Sequence, residues 1–264
     1  MVQRNQHSGR LSFSSDVSAG IRASEIIIIV VGTPMRDDGY VDLSAVRTVS
    51  REIGKALNGP KIIVSKSTVP VDTGELISSI IKEHSTEKHA MMGVSNLKFL
   101  REGSAVADFM QPDRIAIGTG DAEAECAMRD LYAALDAPIV VTDVRASEMI
   151  KYASNAFLAT KISFINEIAN ICCELVGVDV KAVGRGMGFD HGIETQFLNP
   201  GIGYGGSCFP KDVRGLEQIA AEGNYDAPLL RAVETVDRRQ VPRTLENFAR
   251  RSDRYNSCDI RSCV

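Results

Sequence analysis

The sequence of 264 residues has a formal net charge of −4, with 44% hydrophobic and 24% charged residues. This composition is typical of a soluble globular protein with one large or two modest domains, and the lack of a basic cluster argues against nucleic acid as a partner. The longest aliphatic run, Ile26–Val31, is too short to cross a membrane, and the polar start lacks the apolar core of a secretory signal. Six irregularly spaced cysteines match neither a disulfide nor a zinc framework, so we expect a reduced, cytoplasmic protein without a metal site.

Residues 1–142 alternate short apolar strands with helices, which predicts βαβ units and a mostly parallel sheet. A short helix is expected near Val17–Ala23. Ile26–Val31 is a continuous β-branched run, typical of a parallel strand that is buried on both faces. The pattern predicts further strands at Lys61–Ser65, Ala90–Val94, Arg114–Gly118 and Pro138–Thr142, and helices at Leu43–Leu57, 74–84 and 121–135.

A dinucleotide-binding sheet begins with a strand and a Gly-x-Gly-x-x-Gly turn. No such element opens this sequence. We therefore expect residues 1–142 to form a partial Rossmann-like NAD-binding domain whose first βαβ unit is missing.

From Asp143 the apolar residues follow a helical period, which continues until Gly177. Apolar residues also lie on the opposite side, so we expect a long central helix that is buried nearly all round. Lys151 and Asn155 are four residues apart and project from one face. With shorter helices after it, residues 143–240 are predicted to form a mainly helical central domain. The polar stretch 241–264 is interpreted as an atypical, frayed or disordered tail.

Residues 197–212 concentrate four glycines, a cysteine and a Lys-Asp pair. The glycines allow a close approach of the backbone to a ligand. Cys208 then precedes Pro210, a residue that is tolerated in a first helical turn. A helix N-terminus and the neighbouring Lys211 both favour a thiolate, so Cys208 is a candidate nucleophile. The alternative is a glycine-rich turn with a structural cysteine.

Other polar residues have two interpretations each. Thr68 follows a predicted strand and is either a ligand for water or nicotinamide or a turn hydroxyl. Glu102 either accepts hydrogen bonds from a ligand or forms a surface ion pair with Arg101. Lys151 and Asn155 are either donors in a cleft or side chains that are solvated or structural.

Five blocks resemble the UDP-glucose/GDP-mannose dehydrogenase family in family order, over about residues 10–240. The catalytic-cysteine motif of that family is similar to Gly203-Tyr-Gly-Gly-Ser-Cys-Phe-Pro-Lys-Asp212. The other blocks are Val31-Gly-Thr-Pro34 with Asp38-Gly-Tyr-Val-Asp-Leu-Ser44, Ser65-Lys-Ser-Thr-Val-Pro70, Phe99-Leu-Arg-Glu-Gly-Ser-Ala-Val-Ala-Asp-Phe109 and Met149-Ile-Lys-Tyr-Ala-Ser-Asn-Ala-Phe-Leu158.

The resemblance implies an NAD-dependent four-electron oxidation of UDP-glucose to UDP-glucuronate, through a thiohemiacetal and a thioester on Cys208. GDP-mannose or a UDP-N-acetyl sugar is the alternative substrate. A homodimer through the central helix is also implied. Lys151 and Asn155 would stabilise the oxyanion, while Asp212 and Thr68 would serve water and proton transfers. The implied NAD contacts are Thr33, Thr68, Glu102 and Lys211, and the implied substrate contacts are Phe99, Leu100, Arg101, Lys151, Asn155, Phe197, Leu198, Asn199, Pro200, Gly201 and Gly205.

The sequence departs from the family pattern at two functional positions. Lys98 stands where the family usually has a glutamate linked to thioester hydrolysis, and Gly192 stands where an arginine reaches a neighbouring subunit's substrate. The family's glycine fingerprint and C-terminal nucleotide-sugar domain are also missing. The alternative function is therefore a catalytically inactive remnant that retains dimerisation or weak ligand binding, and we expect the purified chain to reduce no NAD+ with UDP-glucose.

Overall fold

The computed structural model describes residues 1–87, 89–101, 103–175, 177–206 and 208–254. The strands are β1 (Ile26–Ile29), β2 (Lys61–Ser65), β3 (Met91–Ser95), β4 (Ile115–Gly118) and β5 (Ile139–Thr142). The helices are α1 (Val2–His7), α2 (Val17–Ala23), α3 (Ser44–Ala56), α4 (Thr73–His84), α5 (Ala105–Met110), α6 (Ala122–Tyr132), α7 (Val144–Glu174), α8 (Val180–Met187), α9 (Phe209–Glu222) and α10 (Pro228–Arg254).

The chain divides into two compact units. The first, here the sheet unit, contains Met1–Pro34 and Asp42–Met149. The second, here the helical unit, contains Met35–Val41 and the chain from Ile150 onwards. Helix α7 therefore starts in the sheet unit and continues into the helical unit. The predicted domain boundaries at 142/143 and 240/241 stay predictions.

The strands form one sheet in the order β1-β2-β3-β4-β5, and every neighbouring pair is parallel except β3 and β4. The predicted α/β class with a mostly parallel sheet is confirmed. Successive side chains of β2 enter opposite cores, because a strand alternates its faces. Ile63 packs with residues of α3 and α4, whereas Ile62 and Val64 pack with residues of α6. Helices thus cover both faces of the sheet.

Strand β1 is less buried than its sequence predicts. Ile28 is 41% exposed, and Val30, directly after the strand, is 68% exposed. The prediction of burial on both faces is wrong here, because β1 is the end strand of the sheet and α6 packs against Val94 and Ile117, nearer the middle. An apolar run by itself does not distinguish an end strand from a central one.

Helix α7 has 31 residues, a length of roughly 46 Å at 1.5 Å per residue. Its buried side contributes Ala159 to a core with Tyr204, Val213 and Val233. The prediction that α7 is buried nearly all round is wrong, since Phe157 is 63% exposed and other large apolar residues on α7 share this exposure. Among the residues described, α7 alone is long and apolar enough to cross a membrane, which is weak evidence because a core helix meets the same test.

Helix α10 extends beyond the predicted end of regular structure. Its last turns contain Pro242 and reach Arg254, so the prediction of a frayed or disordered tail is wrong for 241–254. This part of α10 contacts α7. Gln240 accepts a hydrogen bond from Asn170, and Arg243 pairs with Glu174 at 3.0 Å. Residues 255–264, including Cys258 and Cys263, lie outside the described part of the chain.

Candidate active site

Cys208 is the residue that precedes α9, and it is half-buried. Pro210 lies in the first turn of this helix, as the sequence predicts. The backbone N–H groups of a first helical turn have no partner within the helix and carry a partial positive charge. The thiol is thus located at an electropositive helix end. Ser207, directly before it, lies outside the described residues.

A buried polar network lies on α9 and α7. Asp212 Oδ1 accepts a hydrogen bond from Lys211 Nζ at 2.7 Å, and Asp212 Oδ2 accepts one from Asn155 Nδ2 at 2.5 Å. Asn155 Oδ1 in turn accepts one from Lys151 Nζ at 3.0 Å. Lys151, Asn155 and Asp212 are each buried, so the interpretation of solvated side chains is excluded.

The network contains two ammonium groups and one carboxylate. Buried charges are tolerated when they are paired and hydrogen-bonded, which Asp212 achieves for Lys211 directly and for Lys151 through Asn155. The ammonium groups and the Asn155 amide are donors that suit an oxygen that becomes negative during a reaction. The structure therefore brings four of the predicted site residues together. Two of them, Lys211 and Asp212, lie one helical turn or less from Cys208.

The predicted substrate segment Phe197–Gly201 contacts the start of α9 and a cavity. The Phe197 ring meets the Phe209 ring edge-on, with centroids 6.4 Å apart. A cavity of about 480 Å³ is lined by Leu198 and Asn199. Its other lining residues are Lys181, Gly184, Arg185, Thr195 and Gln196. The two cations of α8 were not among the sequence candidates, although their spacing of four residues places them on one helix face.

The glycine-rich loop requires glycine at position 203. Its φ of +110° is rarely adopted by other residues, and a Cβ there would lie 2.6 Å from Asp237 Oδ1. A carboxylate of α10 thus occupies the space that a side chain would need. At Gly205, by contrast, a Cβ would meet open space, so that position carries no such constraint.

In the sheet unit, Thr33 and Thr68 lie together. Thr33 Oγ1 donates a hydrogen bond to the Thr68 carbonyl at 2.8 Å, and Thr68 is buried. The two residues follow β1 and β2, adjacent parallel strands whose carboxyl ends share one edge of the sheet. Open α/β sheets bind their ligands at this edge. A hydroxyl and a peptide carbonyl at this edge are groups to which a polar ligand can hydrogen-bond, and the roles of Thr33 and Thr68 as NAD contacts stay predictions. Glu102, the other predicted NAD contact of this unit, lies outside the described residues.

Lys66 and Lys98 form an electrostatic feature that the sequence did not indicate. Burial, and then the neighbouring charge of Lys98, lower the pKa of Lys66 to about 8. Lys66 Nζ donates to Asn96 Oδ1 and to the Tyr132 hydroxyl, both at 2.8 Å. The positive charge of Lys98 thus contributes to the lowered pKa of Lys66, which follows β2.

The predicted substrate residues Phe99–Arg101 have partners within the sheet unit. Arg114 lies over the Phe99 ring at 4.2 Å. Arg101 pairs with Asp108 at 2.6 Å, and the hydrogen bonds from Arg101 hold the pKa of that carboxyl well below its usual range. Leu100 is half-buried. Within the described ranges, no group of three His, Cys, Asp or Glu residues is arranged to bind a metal.

Two family models match the chain. The UDP-glucose/GDP-mannose dehydrogenase NAD binding domain matches residues 1–136, and the central domain of the same family matches residues 145–239. The UDP-glucose 6-dehydrogenase YwqF of Bacillus subtilis (strain 168) is 48% identical over 240 residues, which are 91% of this chain and 54% of that protein. The UDP-glucose 6-dehydrogenase of Rhizobium meliloti (strain 1021) is 48% identical over 241 residues, covering 89% and 54%.

A solved structure agrees with these sequence matches. The UDP-glucose dehydrogenase from Pyrobaculum islandicum superposes with a TM-score of 0.86 at 39% identity, over 89% of this chain and 55% of that one. The chain thus spans about half the length of the relatives that it matches. From the two family matches, which follow each other along the sequence, the chain belongs to the UDP-glucose/GDP-mannose dehydrogenase family.

Proposed function

We propose that the protein carries out the NAD-dependent four-electron oxidation of UDP-glucose to UDP-glucuronate. The observation that carries this proposal is the Cys208 thiol at the start of α9, directly before the buried network of Lys211, Asp212, Asn155 and Lys151. The names of the similar bacterial enzymes support UDP-glucose as the substrate. GDP-mannose or a UDP-N-acetyl sugar remains the alternative substrate.

We assign to Cys208 the role of the nucleophile. Its thiolate adds to the C6 carbon of an aldehyde derived from the sugar alcohol and forms a C–S bond, which gives a thiohemiacetal. Oxidation of this carbon yields a thioester, and water then cleaves the C–S bond to release the carboxylate and the thiol. NAD+, when bound, supplies the acceptor for the hydride lost in each oxidation. Thr33 and Thr68 are the residues of the sheet unit that would hold it, and the contact of Lys211 with NAD stays a prediction.

We assign to Lys151 and Asn155 the role of stabilising the oxyanion. The sugar oxygen becomes negative when the thiolate adds and when water attacks the thioester. A buried ammonium and an amide on one helix face stabilise such charge, and the loss of one donor of this kind typically costs about 3 kcal/mol of activation energy. Asp212, which holds Asn155 in place, is assigned the proton and water transfers. The part of Thr68 in these transfers stays a prediction.

A second candidate function is ligand binding without turnover, the outcome that the departures of the sequence from the family pattern predict for the purified chain. Lys98 favours it, because a positive charge replaces the glutamate that the family resemblance links to thioester hydrolysis. The loop at Gly192 favours it as well, since that backbone N–H is bound by Asp190 and the residue has no guanidinium to offer a substrate.

The two candidates are separated by incubating the purified chain with UDP-glucose and NAD+. Catalysis predicts about two NADH per sugar consumed, abolished in Cys208→Ser and retained in Cys126→Ser, the control at an exposed cysteine of the sheet unit. Binding of UDP-glucose by calorimetry without NADH formation is the result expected of the second candidate. Absence of both binding and NADH would contradict both.

We further propose a homodimer that forms through α7. The exposed residues Phe157, Phe164 and Ile171 recur every seven positions, and Leu175 follows four later. This spacing produces an apolar stripe along one side of a helix. A second copy presents the same stripe and is therefore its natural partner.

We propose a cytoplasmic protein with no membrane or nucleic-acid partner, consistent with the net charge of −4.

The dimer proposal predicts that Phe164→Asp produces a monomer. A buried unpaired carboxylate in each copy would destabilise an apolar helix contact. Light scattering coupled to size exclusion measures the mass, and Phe189→Asp is the control, because Phe189 is an exposed phenylalanine of the same unit outside the stripe. A monomeric parent chain, or a dimer that persists in Phe164→Asp, would contradict this interface.

A further inference from the structure

Three polar side chains hold the backbone of the glycine-rich loop. Gly201 N donates to Asn166 Oδ1 at 2.7 Å, and the Gly201 carbonyl accepts from Gln240 Nε2 at 3.0 Å. Tyr204 N donates to Asp237 Oδ1 at 2.7 Å. Asn166 belongs to α7, whereas Asp237 and Gln240 are three residues apart on α10. Two helices thus supply side-chain partners to peptide groups that have no strand or helix of their own.

The hydrogen bonds to the loop explain why polar residues are buried at these positions. Asn166 is fully buried and Gln240 is nearly so. A buried amide is costly unless it is hydrogen-bonded, and Asn166 bears part of this cost, since its Nδ2 has no partner among the described residues. Apolar residues at the same positions would pack two helices without that penalty. Gln240 uses its second polar atom as well, because its Oε1 accepts from Asn170 at 3.0 Å. The Gln240 side chain is thus oriented by a partner at each of its two polar atoms.

The loop is connected mechanically to Cys208. The Tyr204 ring meets the Phe209 ring edge-on, with centroids 6.0 Å apart, and Phe209 is the residue after Cys208. Tyr204 also packs in a buried cluster with Val213 of α9. Asp237 contacts the loop so closely that position 203 admits only glycine. A shift of the loop would therefore move the first turn of α9.

We propose that Asn166, Asp237 and Gln240 are positioning residues, which fix the glycine-rich loop and through Tyr204 and Phe209 determine the access of ligands and electrophiles to Cys208. The identity of the natural ligand, a nucleoside diphosphate sugar, rests on the proposed function. The positioning itself does not, because it concerns how the loop restrains the thiol in the protein without ligand.

The test is the rate at which iodoacetamide alkylates Cys208 in the full chain, followed by peptide mass spectrometry. In Asp237→Ala the Tyr204 N–H loses its acceptor, so the loop opens more often and we expect alkylation about tenfold faster, the factor for one hydrogen bond. Asp237→Asn keeps an oxygen at the same place, and its rate is expected to stay within about twofold of the parent. Cys126, exposed in the sheet unit, is the internal control and should react at one rate in all samples.

A second variant, Gln240→Met, removes the donor to Gly201 while keeping the length of the side chain, and severalfold faster alkylation of Cys208 is expected. Urea unfolding shows whether each variant is folded. Unchanged Cys208 rates in folded Asp237→Ala and Gln240→Met would overturn the proposal, and so would loss of cooperative folding in both, since the residues would then serve the fold in general. Protection of Cys208 by UDP-glucose in the parent chain is read separately, and its absence would count against the proposed function alone.

Discussion

Replacement of Asp212 by asparagine is expected to lower the free energy of unfolding by about 3–5 kcal/mol. The substitution keeps the shape of the side chain but removes the Asp212 carboxylate from the network. The Lys211 ammonium, which is 13% exposed, then loses the anion with which it pairs, and Asn155 loses a charged acceptor. Urea denaturation followed by circular dichroism measures the loss.

The matched control is Asp226→Asn. Asp226 pairs with Arg231 on the surface, where solvent screens an ion pair and leaves it little effect on stability. A double variant, Asp212→Asn with Lys211→Met, should recover part of the loss, because it also removes the cation that pairs directly with Asp212. Equal effects of the two aspartate substitutions would mean that the network is hydrated like the surface pair, contrary to the burial of Asp212.

Glu148 is expected to make the stability depend on pH in the weakly acidic range. It is fully buried in the sheet unit, near the start of α7. Its Oε2 accepts from Asp72 N and its Oε1 from Gly74 N, both at 2.9 Å, so it binds the first N–H groups of α4. Burial raises the pKa of Glu148 from 4.5 to about 7, although the two backbone donors act in the opposite direction.

Because the folded-state pKa lies above the unfolded value, the folded protein binds more protons between these two values. The contribution of Glu148 is therefore complete below about pH 4.5, is lost as the pH rises to about 7, and changes no further above it; the total is about 3 kcal/mol. Glu148→Gln stays neutral at every pH. The difference in unfolding free energy between the parent and Glu148→Gln should thus shift by about 3 kcal/mol in favour of the variant across this window.

Urea titrations at a series of pH values measure this difference. Glu83→Gln, at an exposed position of α4, is the control and should give a difference that does not change with pH. A constant difference for Glu148→Gln as well would show that the pKa of Glu148 is the same in the folded and unfolded protein, so that its two backbone donors fully offset its burial.

The sequence predicted the elements well where local pattern decides them. The helix near Val17–Ala23 and the strand Lys61–Ser65 have the predicted bounds, because a capping Asp16 and a β-branched run act locally. Exposure was predicted poorly, since it depends on which surfaces meet. The exposed sides of β1 and α7 are as apolar as their buried sides, and only the arrangement of neighbouring elements distinguishes them.

The candidate site shows the same division. The neighbourhood of Lys151 and Asn155 follows from helical spacing, and the helix after Cys208 follows from Pro210. The bond from Asn155 to Asp212 joins positions 57 residues apart and needs the tertiary fold. Asp237 and Gln240 could have been noticed as polar residues on the side of α10 that also carries Val233, a signal that becomes meaningful only once that side is known to be buried.

The short segment Met35–Val41 has a consequence for the order in which the protein can assemble on the ribosome. This segment belongs to the helical unit, although it is translated among residues of the sheet unit, and Gly39 lies against the side chain of Gln218 in α9. During synthesis this segment leaves the ribosome before α9, so Gly39 cannot contact Gln218 until α9 has been made. A nascent chain that ends before α9 can therefore form the local bonds of this segment but cannot complete the helical unit.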